Sequence, residues 1–290
     1  MNRKRKFSKP FDLAHSIMFS TFPKEYTELL GIPGEFVKKI NRRVHLKDGT
    51  SGEMDSAYIA DPDFDVLTER VAVALEHQSR PVNDEKLHAI GNYDTQRVVD
   101  EHLSTFLVVA SHLNKEKSRM ELVRSPSDIT RLYFPNLDGA NISKRLNNVN
   151  EIIENNAYLS TENALNLGVI VLYAPRNHAG RITEEVVNLY SKASRDLDFK
   201  VEFTLYSVIT LMIDAFFDDE NDYKRLCDKM NRNTSDESIE KFDPFDFLRE
   251  SLEYANEDLA IINKDLAIAN DKIATLEAEN KRLKEELQAK

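Results

Sequence analysis

Asp55, Glu76 and Gln78 are the residues of this chain whose types and spacing point most directly to chemistry. Met54 to Ala60 reads as a strand, and Val71-Ala72-Val73-Ala74-Leu75 reads as a central strand apolar on both faces. Glu76-His77-Gln78-Ser79 closes that second strand. A carboxylate at the end of a buried strand is costly unless it is paired, hydrogen-bonded or on a metal. Side chains alternate along a strand, so Glu76 and Gln78 share a face. If the strands of Asp55 and Glu76 pair, the two carboxylates converge on one divalent ion. Two hard oxygen ligands, completed by waters and a substrate phosphate, is a usual way of holding Mg²⁺. Such an ion binds a phosphate and lowers the pKa of an attacking water, which Gln78 would orient. The plainer alternative is that Asp55 and Glu76 are surface acids at strand ends.

The elements that would position these residues are legible in outline. Phe11 to Leu30 reads as a helix followed by a turn at Gly31-Ile32-Pro33-Gly34, and Arg42 to Lys47 as a half-exposed strand before a turn at Lys47-Asp48-Gly49. Asp84 to Leu103 is a helix candidate. Thr105 to Ser111 reads as another buried strand, with shorter strands at Arg119 to Val123 and Thr130 to Phe134. Asn141 to Asn156 is helical, Val169 to Tyr173 reads as a last strand, and the chain from Thr183 onward is helical. Central strands with helices between and after them indicate an α/β or α+β domain over residues 1–235, with a polar linker at 236–245.

Composition narrows the functional classes. The chain has 290 residues, 41% hydrophobic and 31% charged, with no apolar run of the roughly 18–20 residues that a membrane span needs. No signal core follows the basic start, and the single Cys227 excludes an internal disulfide framework and a thiolate-rich zinc site. These features lead us to expect a cytoplasmic protein. The Gly-rich phosphate loops of NTPases and dinucleotide enzymes are missing. The net charge of −11 is uneven: residues 1–47 carry 11 Lys and Arg against 4 Asp and Glu. That segment is either a solvated tail or a local surface for a polyanion.

Residues 246–290 carry a heptad pattern. Leu252, Leu259, Leu266, Ile273, Asn280 and Leu287 take position a, and Leu248, Ala255, Ile262, Ala269, Leu276 and Leu283 take position d. This argues for a coiled coil, and a single Asn at an a position favours a parallel, in-register homodimer. Lys272 with Glu277, and Glu279 with Lys284, would pair across it. The alternative is a long amphipathic helix folding back on its own domain.

The run Ala74-Leu75-Glu76-His77-Gln78-Ser79, preceded by Met54-Asp55-Ser56 and followed by Gly91-Asn92-Tyr93, resembles the PD-(D/E)XK nuclease superfamily. The likeness is greatest to its recombination-promoting, transposase-like branch, whose signature is an Asp in one core strand and Glu-X-Gln-Ser in the next. It covers about residues 10–135. The resemblance implies a restriction-endonuclease-like mixed sheet flanked by helices, and Mg²⁺-dependent cleavage of DNA. It makes Asp55 and Glu76 metal ligands with the main-chain carbonyl of His77, and sets Gln78 in the place of the superfamily lysine. Where the family has an arginine one turn before the tyrosine, this chain has Ala89. Lys86, seven residues before Tyr93, substitutes on the same helix face. The superfamily often adds an acid from the first helix, for which Glu28 and Glu35 are both candidates. The rival from a different class is a catalytically silent DNA-binding or scaffold protein that recruits partners through the coiled coil.

Overall fold

A computed structural model of the chain describes residues 7–40, 43–45, 51–63, 67, 69–78, 103, 105–111, 119–125 and 128–231. All belong to one of the two units into which the chain divides, Met1–Thr234. The other, Ser235–Lys290, lies outside the described residues, and so do the heptad segment and the Asp84–His102 part of the helix candidate.

The first helical segment is broken in two. Helix α1 spans Pro10–Thr21 and α2 spans Pro23–Leu30. Pro23 cannot donate a backbone bond and pushes the residue before it out of the helical region; Phe22 accordingly sits at φ −134°, ψ 60°. Helix α2 ends at Gly31 in the left-handed region, where the N–H groups of Gly31 and Ile32 donate back to Glu28 and Thr27.

The strands are β1 (Glu35–Lys39), β2 (Arg43–His45), β3 (Ser51–Glu53), β4 (Ser56–Asp61), β5 (Val71–His77), β6 (Thr105–Ala110), β7 (Arg119–Ser125) and β8 (Asp128–Tyr133). Strands β2 and β3 form a separate antiparallel pair. The other six make one mixed sheet in the order β1-β4-β5-β6-β8-β7. The pairs β1-β4 and β4-β5 are antiparallel, β5-β6 and β6-β8 are parallel, and β8-β7 is antiparallel. The outermost strands each carry a register shift, at Phe36/Lys38 in β1 and at Val123/Ser125 in β7. Strands β4, β5 and β6 are buried on both faces, as their unbroken apolar runs require. The sheet face without α1 holds a cluster of Met54, Ala57, Ala72, Ala74, Leu107, Val109 and Leu132.

Five further helices follow the sheet: α3 (Gly139–Glu154), α4 (Thr161–Leu172), α5 (Ala179–Ala193), α6 (Phe199–Phe216) and α7 (Glu220–Asn231). The strand expected at Val169–Tyr173 is instead the last turns of α4. The apolar run there continues a segment capped by the Ser160 hydroxyl, which accepts from the Asn163 N–H. Ala164 to Leu172 is buried throughout, so the helix is apolar on every side and shows no amphipathic period to distinguish it from a strand. Helix α1 packs against α6, α4 and α2. Its His15 reaches Ser56 of β4, which sets α1 on one face of the sheet. Among the described residues no helix is long and apolar enough to cross a membrane.

Candidate functional site

The site is built where β4 begins and β5 ends. The two strands pair antiparallel with Ser56 opposite Leu75 and Ala57 opposite Ala74. One step further along the same register sets Asp55 opposite Glu76, and residues directly opposite each other share a face. Glu76 continues the row of Ala72 and Ala74, so alternation turns it toward the Met54–Leu132 cluster. It is 4% exposed, while Asp55 and Gln78 are half-buried.

Asp55 is fixed by the main chain. The His77 N–H donates to its Oδ2 at 2.8 Å. The next N–H along, that of Gln78, turns the other way and donates to the Ala110 carbonyl at 2.9 Å. The Asp55 carboxylate thus stands in for a strand carbonyl just where the β4 ladder ends.

The His77 ring lies on the opposite face, among aromatic residues that sequence spacing did not single out. It stacks on His15 with centroids 5.4 Å apart and on Phe11 at 6.4 Å, and meets the Tyr173 ring edge-on. A buried run of hydrogen bonds links these residues: Ser56 Oγ to His15 Nε2 at 3.0 Å, His15 Nδ1 to Tyr26 Oη at 3.0 Å, Tyr26 Oη to Tyr173 Oη at 3.1 Å, and Tyr173 Oη to His77 Nδ1 at 3.3 Å. Burial pushes the Tyr26 phenol well up, and the nearby Tyr173 adds to the shift. Tyr173 is raised first by burial; its bond to Tyr26 acts the other way, and the Asp55 charge raises it further. The partners lie 41, 11, 147 and 96 residues apart in the chain. Only the four-residue step from Phe11 to His15, one helical face, was available to sequence reasoning.

The other candidates fall elsewhere. Lys86 and Tyr93 lie outside the described residues. Glu35 pairs with Asp61, at the opposite end of β4 from Asp55. Lys24 lies 4.0 Å from Glu28 and 3.6 Å from Glu35, so both acids sit at that far end and neither joins Asp55. Among the described residues no three His, Cys, Asp or Glu side chains are grouped to hold a metal ion. Asp55 and Glu76 would offer hard oxygen donors, the type taken by an ion such as Mg²⁺ that uses few protein ligands and keeps several waters.

A groove of about 510 Å³ is lined by Ser143, Arg176, Asn177, His178 and Arg181 with their neighbours. The Arg176 guanidinium lies 4.4 Å over the Phe11 ring, and Phe11 in turn stacks on His77. Arg176 is thus linked through Phe11 to the His77 ring, on the sheet face opposite to that of Glu76. Comparison of the chain with protein-family models, with curated proteins and with solved structures finds no significant match in any of the three.

Proposed function

We propose that the chain is a Mg²⁺-dependent DNA endonuclease of PD-(D/E)XK type, close to the recombination-promoting, transposase-like branch, acting in the cytoplasm. The observation that carries this reading is that Asp55, just before β4, falls opposite Glu76 of β5, one step beyond the Ser56–Leu75 pair of two adjacent central strands. The antiparallel β1-β4-β5 set followed by parallel β6 agrees with the mixed sheet that the superfamily implies. The groove with Arg176 and Arg181 supports a polyanionic substrate, because such cations hold phosphates.

In this reading Asp55, Glu76 and the His77 carbonyl hold the ion. When bound, the ion supplies charge neutralisation at the phosphate and a water of lowered pKa. Gln78 shares the face of Glu76 and orients that water by a hydrogen bond. Asp55 is held for its task by the His77 N–H. Residues 246–290 form the parallel coiled-coil homodimer, which tethers two sites so that both strands of a duplex can be cut. Light scattering should then find a dimer at micromolar concentration and a monomer after truncation near residue 240.

Nicking of supercoiled plasmid in Mg²⁺, with and without chelator, tests the chemistry. Asp55→Asn and Glu76→Ala should each abolish cleavage while leaving the fold intact. A Glu76→Ala protein that cuts as well as the unmodified chain would assign the activity elsewhere. The second reading, a silent DNA-binding scaffold, is favoured by one observation: Glu28 and Glu35 are drawn to Lys24 and away from the pair. If the unmodified chain neither cuts any DNA form nor binds Mg²⁺, the scaffold is the better account.

A further inference from the structure

We infer that Tyr173 is a positioning residue for the Asp55 carboxylate, acting through His77; the inference rests on the site reading above. His77 presents its N–H toward β4, beyond the last strand pair, and that N–H is what fixes Asp55 Oδ2. A bond from a main-chain donor to a carboxylate is charge-assisted and orienting. Its direction follows the backbone of residue 77, and that backbone is only as fixed as the side chain it carries.

The His77 side chain is held on several sides. His15 and Phe11 stack on it, and Tyr173 touches it both with a ring edge and with its hydroxyl. The stacks restrain the ring's plane, and the hydroxyl restrains rotation within that plane. Tyr173 is itself anchored. Each phenol has one proton, so in the run from His15 to His77 each of Tyr26 and Tyr173 donates once and accepts once. The three bonds must therefore all point the same way, either toward His77 or toward His15. Helix α4 supplies the backbone just before Tyr173, and both phenols are fully buried. The catalytic end of the sheet is thus pinned to the helical layer through one hydroxyl, and the Asp55 charge lies close enough to be felt at that hydroxyl.

Tyr58 supplies an internal control. It is as deeply buried and lies on the same sheet face, but its hydroxyl has no hydrogen-bond partner among the described residues. The experiment uses the full ¹⁵N-labelled chain without metal and follows the His77 amide. Asp55→Asn defines the signature of losing the carboxylate: an upfield amide proton shift and faster exchange with solvent. Tyr173→Phe should move the same amide in the same direction and speed its exchange by about 10-fold, while Tyr58→Phe leaves it in place. Calorimetric titration with Mg²⁺ alone should show affinity reduced about 10- to 100-fold in Tyr173→Phe, the usual effect of removing support from a metal ligand, and unchanged in Tyr58→Phe. A folded Tyr173→Phe chain with a native His77 amide overturns the inference. If Tyr173→Phe does not fold, Tyr26→Phe breaks the next link and carries the same test, a native His77 amide again overturning it. A chain in which no variant binds Mg²⁺ but the amide moves as expected keeps the positioning role and removes the metal reading, so the two failures are distinguishable.

Discussion

At the scale of single residues, the chemistry proposed here divides unequally between the charged groups and Gln78. In the proposed mechanism Asp55 and Glu76 would provide the donors, whereas Gln78 would contribute one hydrogen bond to a water and has no charge to offer a developing phosphorane. Gln78→Ala should therefore slow plasmid nicking by about 10- to 1,000-fold, the contribution of one positioned donor, and leave Mg²⁺ affinity nearly unchanged. A loss as complete as that of Glu76→Ala would give Gln78 a ligand's role instead. The pair itself was legible in the sequence because both acids flank apolar strand runs, and antiparallel pairing of neighbouring strands is the commonest arrangement. His15, Tyr26 and Tyr173 were not legible. Their partners lie on other elements, and nothing in the spacing of a buried tyrosine tells which hydroxyl it will meet.

At the scale of elements, local chemistry was readable where it did not depend on neighbours. Gly31 and Gly34 announced a turn, and both take positive φ, +70° and +90°. They differ in surroundings. A Cβ on Gly31 meets nothing within 4 Å, while one on Gly34 would stand 2.7 Å from both the Asp61 carbonyl oxygen and Leu67 Cδ1. Gly31→Ala should cost only the backbone penalty, about 1 kcal/mol. Gly34→Ala adds a backbone clash where β1 enters the sheet and should cost roughly 2–4 kcal/mol. Urea unfolding of both variants measures this, and equal losses would contradict it. Strand β1 escaped sequence reading because it is exposed along most of its length and carries little apolar alternation. Helix α4 was misread in its last turns for the opposite reason: total burial erases periodicity.

At the scale of the molecule, the buried phenols set an alkaline limit. Burial is the first cause raising Tyr26, Tyr58 and Tyr173, so the folded chain keeps protons that the unfolded chain releases above a pH of about 10. The unfolded state then binds fewer protons, and stability must fall as pH rises. The stabilisation is complete below about pH 10 and is lost at roughly 1.4 kcal/mol per pH unit for each phenol. Urea midpoints measured from about pH 9 to 11.5 should drop steeply, and Tyr58→Phe should flatten the slope by one proton; a level profile would contradict the assignment. The mixed architecture was visible in the sequence because apolar strand-like runs and helix-like segments both occur in it, but the strand order was not, since it depends on crossovers that leave no local trace. The register shifts in β1 and β7 bear on a hazard that open sheets share. An unpaired rim of N–H and C=O groups invites strands from other copies to add on and seed ordered aggregates. Here each rim is kinked, and β1 also bears Glu35, Lys38 and Lys39. An incoming strand would find neither an even row of partners nor a neutral surface, so aggregation from the native state has to begin with a rim strand detaching.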